Sequence, residues 1–505
     1  MDIKRHGKPS TSVVQPGKPA GSGSPTPRSR SAARRSAKQQ PQAQSFPVPR
    51  YYAPTRPKRI VKRKSSLKKT IIRGTALLFV CLLATSGFLS WRAYTNLHKV
   101  FHGNTTVAAL SEKPVTPNLL KGEGDGRVNV LLLGIGGSDH AGGDLTDSIV
   151  VLSIDPVNNT AAMLGVPRDL WVKMPVNYFG PNQKINAAYS SAKYKFLGKV
   201  DLSNKNPDAM QAGLQASDQA IGEVLGIPIH YNVLVNFQAF RQAVDTVGGV
   251  TVDVKEQLYD PTMAWENKWN PVLAPVGVQQ MDGVKALMYA RSRETSSDFA
   301  RNERQRQILL ALKDKILTAG TLSNPAKIDA LMNTLGDNVY TDISTQAATR
   351  LYEISKKIDD SKIASLGMAQ PPTMLVTTDR VGTASVVRPK AGFNNYADIQ
   401  AFVRTNLPDG YLVKEKAPVA VLAPTQQAAD AQAAVLKSYG YIVASVGIAP
   451  APTDGKPKLF DLSGGKNPYT KNYLQKRYEV IAGTNLPSGM TLPAGNPKFV
   501  ILVAK

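Results

Sequence analysis

The residues with the clearest capacity for chemistry are four arginines in the segment 289–305, YARSRETSSDFARNERQ. Two of them, Arg291 and Arg293, are two positions apart, so an extended backbone would point both guanidinium groups to the same side. Guanidinium groups bind the paired oxygens of phosphate and pyrophosphate in a bidentate manner. The segment therefore predicts a site for a phosphate-bearing polyanion.

The second half of this segment predicts the start of a helix. Asp298, Arg301 and Gln305 are three and four positions apart, which places them on one face of a helix that ILLALKDKIL continues. The hydroxyl side chains of residues 295–297 can cap its amino end, where the exposed amides and the helix dipole also favour an anion. The alternative interpretation is a solvated helix with surface ion pairs, and composition alone does not separate the two.

The positive charge of the chain is concentrated at its amino terminus. The chain has 505 residues, of which 42% are hydrophobic, and a formal net charge of +25. Nineteen Lys and Arg residues but only one acid, Asp2, occur up to Arg73, so this segment supplies +18 of that charge. The remainder is long enough for two or three domains with real cores. The high pI is therefore a poor indication of nucleic-acid binding by the whole protein.

The first 91 residues predict a membrane anchor. Residues 1–69 are rich in Pro, Ser, Gln, Ala and basic residues, which is typical of a disordered tail. Residues 70–91 predict a transmembrane helix, because they contain an uncharged run of about bilayer length. The basic residues before it place the tail in the cytoplasm and the rest of the chain outside. A cleaved signal peptide is the alternative, but the long lead-in and the lack of a clear A-x-A site favour an uncleaved anchor.

Cysteine and histidine chemistry is largely excluded. The only cysteine, Cys81, lies within the apolar run, so the outer part has neither disulfides nor a cysteine-ligated zinc site. The five histidines show no HExxH or similar spacing.

Strands and helices alternate after a Pro- and Gly-rich linker, residues 92–127. Strands are predicted in VNVLLLGIGG, DSIVVLSID, TAAMLGVP, YNVLVNF and GVTVDV, and helices near residues 209–225 and in FRQAVDTVG. This alternation predicts a layered α/β domain rather than a β-sandwich. The loop GIGGSDHAGG lacks the spacing of a dinucleotide-binding loop.

Seven blocks in this order resemble the LytR-CpsA-Psr (LCP) family, whose members are membrane-anchored enzymes that attach glycopolymers to bacterial cell walls. The blocks are VNVLLLGIGG, DLTDS, LGVPRDLWV, KINAAY, FQAFRQAVDTVGGVTVDV, VGVQQMDGVKALMYARSR and DFARNERQ. The resemblance implies a layered α/β/α domain with a mixed central sheet over residues 128–410. Residues 417–505 resemble, more loosely, the small α/β LytR C-terminal domain.

The resemblance also implies a substrate and a reaction. The substrate is a glycan on undecaprenyl pyrophosphate, and the acceptor is a hydroxyl group of peptidoglycan. Phosphoryl transfer of this kind depends on positioning and on neutralisation of phosphate oxygens. The match assigns pyrophosphate binding to Arg168, Arg291, Arg293 and Arg301, with Arg304, Gln305 and Asn186 as further contacts. It assigns catalysis to Arg293, Asp298 and Arg301, where Asp298 first orients an arginine and second deprotonates the acceptor hydroxyl.

A Mg²⁺ ion is the cofactor that the resemblance implies, since family members hold this hard cation through carboxylates. Asp147 in DLTDS matches one of these acids. Gly136 stands where the family usually has the other acid, and Leu145 stands where it usually has an arginine. Asp139 and Asp144 lie in the longer loop GGSDHAGGD and are candidate replacements. These departures leave open an altered or lost activity.

Two further alternatives stay open from the sequence. Trp265 and Trp269, in WENKW, fit packing aromatics or a glycan contact. The whole domain also fits a non-catalytic module that binds anionic glycopolymer or lipid pyrophosphate through the same arginines.

Overall fold

A computed structural model describes most of the chain after residue 99, namely residues 100–103, 106–138, 140, 142–203, 205–292, 298–318, 335–336, 338–370 and 373–504. The chain divides into two compact units, Met1–Gly74 and Thr75–Lys505, and the described residues belong to the second. The predicted tail and transmembrane helix lie outside the described residues and stay predictions. Within the described part, no helix is both long enough and apolar enough to cross a bilayer.

The described elements occur in the following positions. The strands are β1 (Val128–Ile135), β2 (Thr146–Asp155), β3 (Thr160–Gly165), β4 (Trp171–Lys173), β5 (Asn182–Lys184), β6 (Tyr231–Asn236), β7 (Val250–Val254), β8 (Leu258–Tyr259), β9 (Val272–Ala274), β10 (Gly277–Met281), β11 (Val339–Thr341), β12 (Ile363–Gly367), β13 (Ala369–Gln370), β14 (Thr373–Met374), β15 (Val376–Val381), β16 (Ala384–Pro389), β17 (Pro418–Ala423), β18 (Ile442–Ile448), β19 (Lys458–Asp461) and β20 (Phe499–Leu502). The α-helices are α1 (Ala188–Leu197), α2 (Pro207–Leu225), α3 (Phe237–Thr246), α4 (Gly283–Arg291), α5 (Asp298–Thr318), α6 (Thr345–Ser355), α7 (Ala397–Asn406), α8 (Gly410–Glu415), α9 (Gln426–Ser438) and α10 (Pro468–Tyr478). Short 3₁₀ turns occupy Ala108–Leu110, Pro117–Leu119, Ile185–Ala187, Pro261–Asn267 and Asp360–Lys362.

A six-stranded mixed sheet forms the centre of the larger domain, with the strand order β11-β6-β1-β2-β3-β12. The pairs β1–β6 and β3–β12 are parallel, whereas β1–β2, β2–β3 and β6–β11 are antiparallel. Asp155 shapes the turn after β2, because its Oδ1 accepts hydrogen bonds from the backbone amides of Val157 and Asn158. The predicted mixed α/β architecture is confirmed.

The two faces of this sheet are packed differently. Side chains of successive strand residues alternate between the faces. On what we call the closed face, Leu131, Leu133 and Leu164 are at most 2% exposed and share one core cluster with side chains of α2. On the other face, which we call the open face, α5 and α6 cover the sheet, and Leu132 and Leu152 are only partly buried.

A smaller layer beside the sheet carries the arginine-rich segment. The antiparallel pair β7–β10, the hairpin β8–β9 and helices α3 and α4 share a core that includes Val250, Val252, Met281 and Tyr289. Ile308 of α5 is 1% exposed in the same core. This layer therefore fixes α4 and α5 relative to each other.

The C-terminal residues form a separate four-stranded sheet with the order β18-β17-β20-β19 and the helices α9 and α10. Its core contains Val419, Val421, Leu436, Tyr473 and Phe499. The segments PVAVLA, IVASVGI and FVIL form β17, β18 and β20, and α9 connects the first two.

The segment expected to be a free linker packs into this C-terminal core. Val115 and Leu120 are 5% and 1% exposed there. Glu123 accepts hydrogen bonds from Tyr441 Oη and Arg477 Nε at 2.6 and 2.7 Å. Asp409 Oδ2 accepts hydrogen bonds from the amides of Gly124 and Gly126. Residues 115–126, within the predicted linker 92–127, therefore pack against the C-terminal domain, a contact that their Pro and Gly content does not predict.

Candidate functional site

The arginine-rich segment runs from α4 to α5, and the structure changes one expectation about it. Arg291 is the last residue of α4 rather than part of an extended strand, because the apolar pattern of GVKALMYA continues the helix into the core. Arg293 and the capping residues 295–297 lie outside the described residues. Asp298 begins α5, as predicted, and the position of its side chain is not described.

Three arginines from separate parts of the chain line one cavity of about 320 Å³. They are Arg168, Arg291 and Arg301, and Gln305 lies beside them. The remaining described lining residues are His140, Asp147, Ser148, Phe237, Asp260, Thr262 and Met263. The structure thus brings together the main arginines that the sequence pointed to, apart from Arg293.

Arg168 is oriented by two acids. Its Nη1 lies 2.8 Å from Asp147 Oδ1 and its Nε lies 3.5 Å from Asp169 Oδ2. Asn186 Nδ2 donates to the same Asp147 oxygen at 3.1 Å, and the Asn186 amide donates to the Arg168 carbonyl at 3.2 Å. Asn186 is 5% exposed. It positions Asp147 and Arg168 and is not among the described residues that line the cavity.

Arg291 is held from two sides. Its guanidinium carbon lies 4.4 Å from the centre of the Phe237 ring, and its Nη1 lies 3.2 Å from Glu266 Oε2. His140 meets the same Phe237 ring edge to face, with 5.3 Å between ring centres. A guanidinium carries five N–H donors, so these contacts orient the arginine without using all of its donors.

Arg301 and Gln305 reach the cavity from one face of α5, as their spacing predicted. Arg301 is 5% exposed, so water screens its charge weakly. Gly165 at the end of β3 allows α5 to come close, because a Cβ atom there would lie 2.0 Å from Asn302 Nδ2. The sheet and the helix thereby meet beside the cavity.

Arg304 has a structural position. It is 7% exposed, its Nε donates to the Tyr289 carbonyl at 2.9 Å, and its Nη2 donates to the Ser292 carbonyl. Burial lowers the pKa of this guanidinium from its usual value. Arg304 is not among the described lining residues, so we leave it out of the proposed binding set and assign it to holding the end of α4.

The carboxylates give limited support for a metal. Asp144 is 1% exposed, pairs with Lys193 at 2.7 Å and accepts a hydrogen bond from Tyr194 Oη at 2.9 Å, so we leave it out of the proposed metal site. Asp139 lies outside the described residues. The described part contains no group of three or more His, Cys, Asp or Glu side chains placed to hold a metal. Of the two candidate ligands that the structure describes, Asp147 lines the cavity, and Mg²⁺ often uses only one or two carboxylates together with substrate phosphates.

Gly136 has a structural explanation. A Cβ atom at this position would lie 2.7 Å from His140 Cβ and 2.9 Å from His140 Nδ1. An aspartate here would compete with the His140 side chain for space. The sequence comparison by motifs missed His140, Phe237, Asp260 and Glu266, because their types and spacings carry no phosphate-binding signal.

An apolar crevice of about 190 Å³ lies on the open face of the sheet. Its walls come from strands β1, β2, β3 and β12, from α5 and from α6, and its described lining residues are Leu132, Leu152, Ile154, Ala161, Met163, Leu309, Leu310, Lys313, Leu351, Ile354, Ser355, Ile358 and Ile363. A narrow gap of about 10 Å³ shares Gln305 with the arginine cavity and shares Met163 and Leu309 with the crevice. A cationic cavity and an apolar crevice are therefore neighbours along α5.

A larger cavity of about 920 Å³ lies at the ends of β1 and β6 and is lined by residues such as Ser138, Lys205, Asn236 and Tyr340. Its described lining contains one lysine and one histidine, His102, but no arginine. The concentration of guanidinium groups, and not the size of the cavity, decides which site suits a diphosphate.

The sequence profile of the LytR_cpsA_psr family matches residues 94–390. The chain is 34% identical to the polyisoprenyl-teichoic acid–peptidoglycan teichoic acid transferase TagV of Bacillus subtilis over 225 residues, which are 43% of this chain and 51% of TagV. It is 30% identical to the TagU transferase of Oceanobacillus iheyensis over 275 residues, covering 54% of this chain and 76% of TagU. The match to TagV thus spans about half of that relative.

Among solved structures, the crystal structure of B. subtilis TagV is similar with a TM-score of 0.41 and 28% identity, covering 56% of this chain and 97% of TagV. TagT bound to LIIa-WTA gives a TM-score of 0.43 and 22% identity over 62% of this chain and 98% of TagT.

Proposed function

Since the chain belongs to the LytR_cpsA_psr family, we propose that it is a transferase that moves a glycopolymer from a polyprenyl-pyrophosphate carrier to peptidoglycan. The names of the relatives TagV, TagU and TagT as teichoic acid transferases support this class of reaction. The predicted anchor at residues 70–91 would place the catalytic domain outside the cell membrane, where both the lipid carrier and peptidoglycan are found.

One observation carries the proposal: the arginine cavity and the apolar crevice adjoin along α5. A polyprenyl pyrophosphate has a doubly charged head and a long hydrocarbon tail. Arg168, Arg291 and Arg301 suit the head. The crevice, whose described lining is almost entirely aliphatic, suits the first part of the tail. Gln305 lines both the arginine cavity and the narrow gap that adjoins the crevice.

The reaction is one phosphoryl transfer, in which a phosphoanhydride bond breaks and a phosphodiester bond forms. The acceptor hydroxyl oxygen attacks the phosphorus that carries the glycan, and the bond from this phosphorus to the bridging oxygen breaks. The products are a polyprenyl monophosphate and a glycan phosphodiester on peptidoglycan. The arginines stabilise the charge that develops on the phosphoryl oxygens. Asp298 is proposed to orient an arginine and to accept the hydroxyl proton, and Arg293 is proposed to contact the pyrophosphate.

Mg²⁺ remains part of the proposal. Asp147 would hold it, with phosphate oxygens of the substrate and water completing the coordination. When bound, the ion would neutralise charge on the pyrophosphate. Arg168 and Asn186, which contact Asp147 Oδ1, would position this carboxylate.

The test is turnover of a lipid-linked donor by the full chain. The assay supplies an undecaprenyl-pyrophosphate-linked saccharide and peptidoglycan, and it measures release of undecaprenyl monophosphate by mass spectrometry. We expect Arg168→Ala and Arg291→Ala each to lower kcat/KM about 10²- to 10³-fold, which is the effect of losing one preorganised charge donor. Arg380→Ala, which removes an exposed arginine of β15, is the matched control and should leave turnover unchanged.

The opposing result separates catalysis from binding. If the wild-type chain binds the donor through these arginines but releases no monophosphate under any condition, including with Mg²⁺, the protein is a binding module. If Arg380→Ala lowers turnover as much as Arg291→Ala does, the cavity has no special role.

A further inference from the structure

The hairpin β8–β9 presents an unusual outer surface. Trp265 and Trp269, in and just after its 3₁₀ turn, are 64% and 82% exposed. Tyr259 on β8 is 44% exposed, and Val276 and Val278, just beyond β9, are 61% and 70% exposed. Five large apolar side chains exposed within residues 259–278, which run from β8 into β10, indicate a contact with another phase or molecule.

The backbone displays these side chains at a conformational cost. Lys268 and Trp269 both have positive φ, at 52° and 65°. Residues other than glycine rarely adopt positive φ. Two consecutive residues keep this conformation only where surrounding contacts stabilise it. From the sequence, Trp265 and Trp269 fit packing aromatics or a glycan contact, and their exposure does not fit the first interpretation.

The loop that carries the tryptophans is rigid. The Trp269 amide donates to the Ala264 carbonyl at 2.7 Å, which keeps the two tryptophans in one turn. Asn267 Nδ2 donates to the carbonyls of Asn270 and Val272, and Asn270 Oδ1 accepts from the Val272 amide, each at 2.9 Å. The amide side chains of the loop are thus engaged within it. A sugar-binding platform would instead direct such groups outward beside the aromatic rings.

The acidic side chains of residues 259–278 are buried or paired, whereas the basic side chain is exposed. Residues 259–278 contain two acids, Asp260 and Glu266. Asp260 is 1% exposed and accepts a hydrogen bond from Ser292 Oγ at 2.7 Å, and Glu266 pairs with Arg291. Lys268, the only basic residue of this stretch, is exposed between the tryptophans. The outer surface of this stretch therefore combines indole rings, aliphatic side chains and one positive charge, and Val278 lies opposite Asp253 of β7, which forms an exposed ion pair with Lys255.

The same loop forms a wall of the arginine cavity. Asp260, Thr262 and Met263 line that cavity, and Trp265 follows two residues later. We propose that residues 259–278 dock on the lipid–water interface of an anionic bilayer, with Trp265 and Trp269 inserted among the headgroups. This inference rests on the proposed function, because docking places the cavity at the level of a lipid-borne pyrophosphate.

The chemistry of the surface matches that interface. Indole rings are enriched where hydrocarbon meets water, since one part of the ring is apolar and the N–H is polar. Exposed lysine is attracted to anionic headgroups. A rigid loop also loses little conformational entropy on insertion.

The kinetic test uses the full chain in vesicles of phosphatidylglycerol and phosphatidylethanolamine. Two donors carry the same saccharide. One is linked through undecaprenyl pyrophosphate and lies in the vesicles, and the other is linked through geranyl pyrophosphate and is water-soluble. Changing both Trp265→Ser and Trp269→Ser should raise KM for the vesicle-borne donor about tenfold, because burial of large apolar side chains is lost. The kcat/KM for the soluble donor should not change. Phe196→Ser, which removes another exposed aromatic residue, is the control and should change neither value.

A second readout does not need turnover. Lipids brominated near the headgroup should quench the part of the tryptophan fluorescence that the double variant loses.

If that part of the fluorescence is not quenched and KM for the vesicle-borne donor is unchanged, the inference is wrong. If KM rises equally for both donors, the tryptophans contact the saccharide, which also overturns docking. If the wild-type chain turns over neither donor while quenching is seen, the proposed function fails and docking stands.

Discussion

The two faces of the central sheet are built from the same strands but are packed to different degrees. On the closed face, Leu131, Val151 and Leu164 have no measurable exposure and are enclosed by α1 and α2. On the open face, the neighbouring residues Leu132, Leu152 and Met163 border a crevice of about 190 Å³ beneath α5 and α6.

The difference indicates which face serves stability and which serves binding. Protein interiors are normally close-packed, and an apolar void forfeits dispersion contacts for every atom that lines it. Among the described residues, the open face retains such a void, and a narrow gap shares Met163 and Leu309 with it and Gln305 with the arginine cavity. A hydrocarbon ligand in the crevice would restore the missing dispersion contacts. The incomplete packing of this face therefore supports binding of a prenyl chain there.

The comparison predicts unequal costs for the same truncation on the two faces. Leu164→Ala on the closed face should lower the free energy of unfolding by about 2 to 5 kcal/mol, since it opens a cavity in a filled core. Leu310→Ala at the crevice should lower it by less than about 1 kcal/mol, because that side chain already borders a void. Urea denaturation of the two variants measures both values. Equal losses would show that the two faces are packed alike.

The closed face also contains a buried acid, Asp218, whose pKa should make the stability of the fold depend on pH. Burial, with a smaller contribution from Asp342, raises the pKa of Asp218 on α2 to about 7, against a hydrogen bond from Asn232 that lowers it. The folded state therefore keeps a proton that the unfolded chain releases near pH 4, and stability falls as the pH rises from about 4 to 7.

Asp218→Asn should remove this pH dependence. The variant should be more stable than the wild type by roughly 2 to 4 kcal/mol at pH 8, with the difference vanishing near pH 4. Denaturation midpoints across this pH range provide the measurement. A wild-type stability that rises between pH 4 and 7 relative to the variant would contradict the assigned burial.

Adjacent alanines of β3 provide the sharpest matched pair, because their Cβ atoms lie on opposite faces. Ala162→Leu should destabilise the fold by about 1 to 3 kcal/mol, since it overpacks the closed face. Ala161→Leu should change stability by less than about 1 kcal/mol, because it fills the crevice. The latter variant should nevertheless raise KM for a prenyl-linked donor, because the leucine side chain would occupy the space proposed for the first part of the prenyl tail. A loss of stability as large as that of Ala162→Leu would mean that the crevice has no room.

The local elements of this protein could be predicted well from sequence. Buried strands such as VNVLLLGI and DSIVVLSID are apolar runs that end at turn residues, and the helices of residues 207–225 and 298–318 follow their apolar periodicity. The spacing of Arg301 and Gln305 also predicted their shared direction, because i and i+4 positions are neighbours on a helix.

Contacts between distant parts of the chain could not be predicted in the same way. The linker residues Val115 and Leu120 enter a core formed by residues near 419–501, and their local sequence carries no sign of it. Arg304 belongs to the same arginine cluster as Arg301 but turns to backbone carbonyls of α4. His140 fills the space beside Gly136 only because the loop folds back on β1. Each of these depends on tertiary geometry rather than on spacing.

The central claim is that the open face binds the prenyl chain while the arginine cavity binds its pyrophosphate. Photo-crosslinking of the full chain with a diazirine-bearing polyprenyl pyrophosphate, followed by peptide mapping, tests it most directly. We expect labels on α5 and α6 at Leu309, Leu310, Leu351 or Ile354, and excess unlabelled carrier should abolish them. Labels confined to the closed face or to the C-terminal domain, or labels that excess carrier does not reduce, would contradict it.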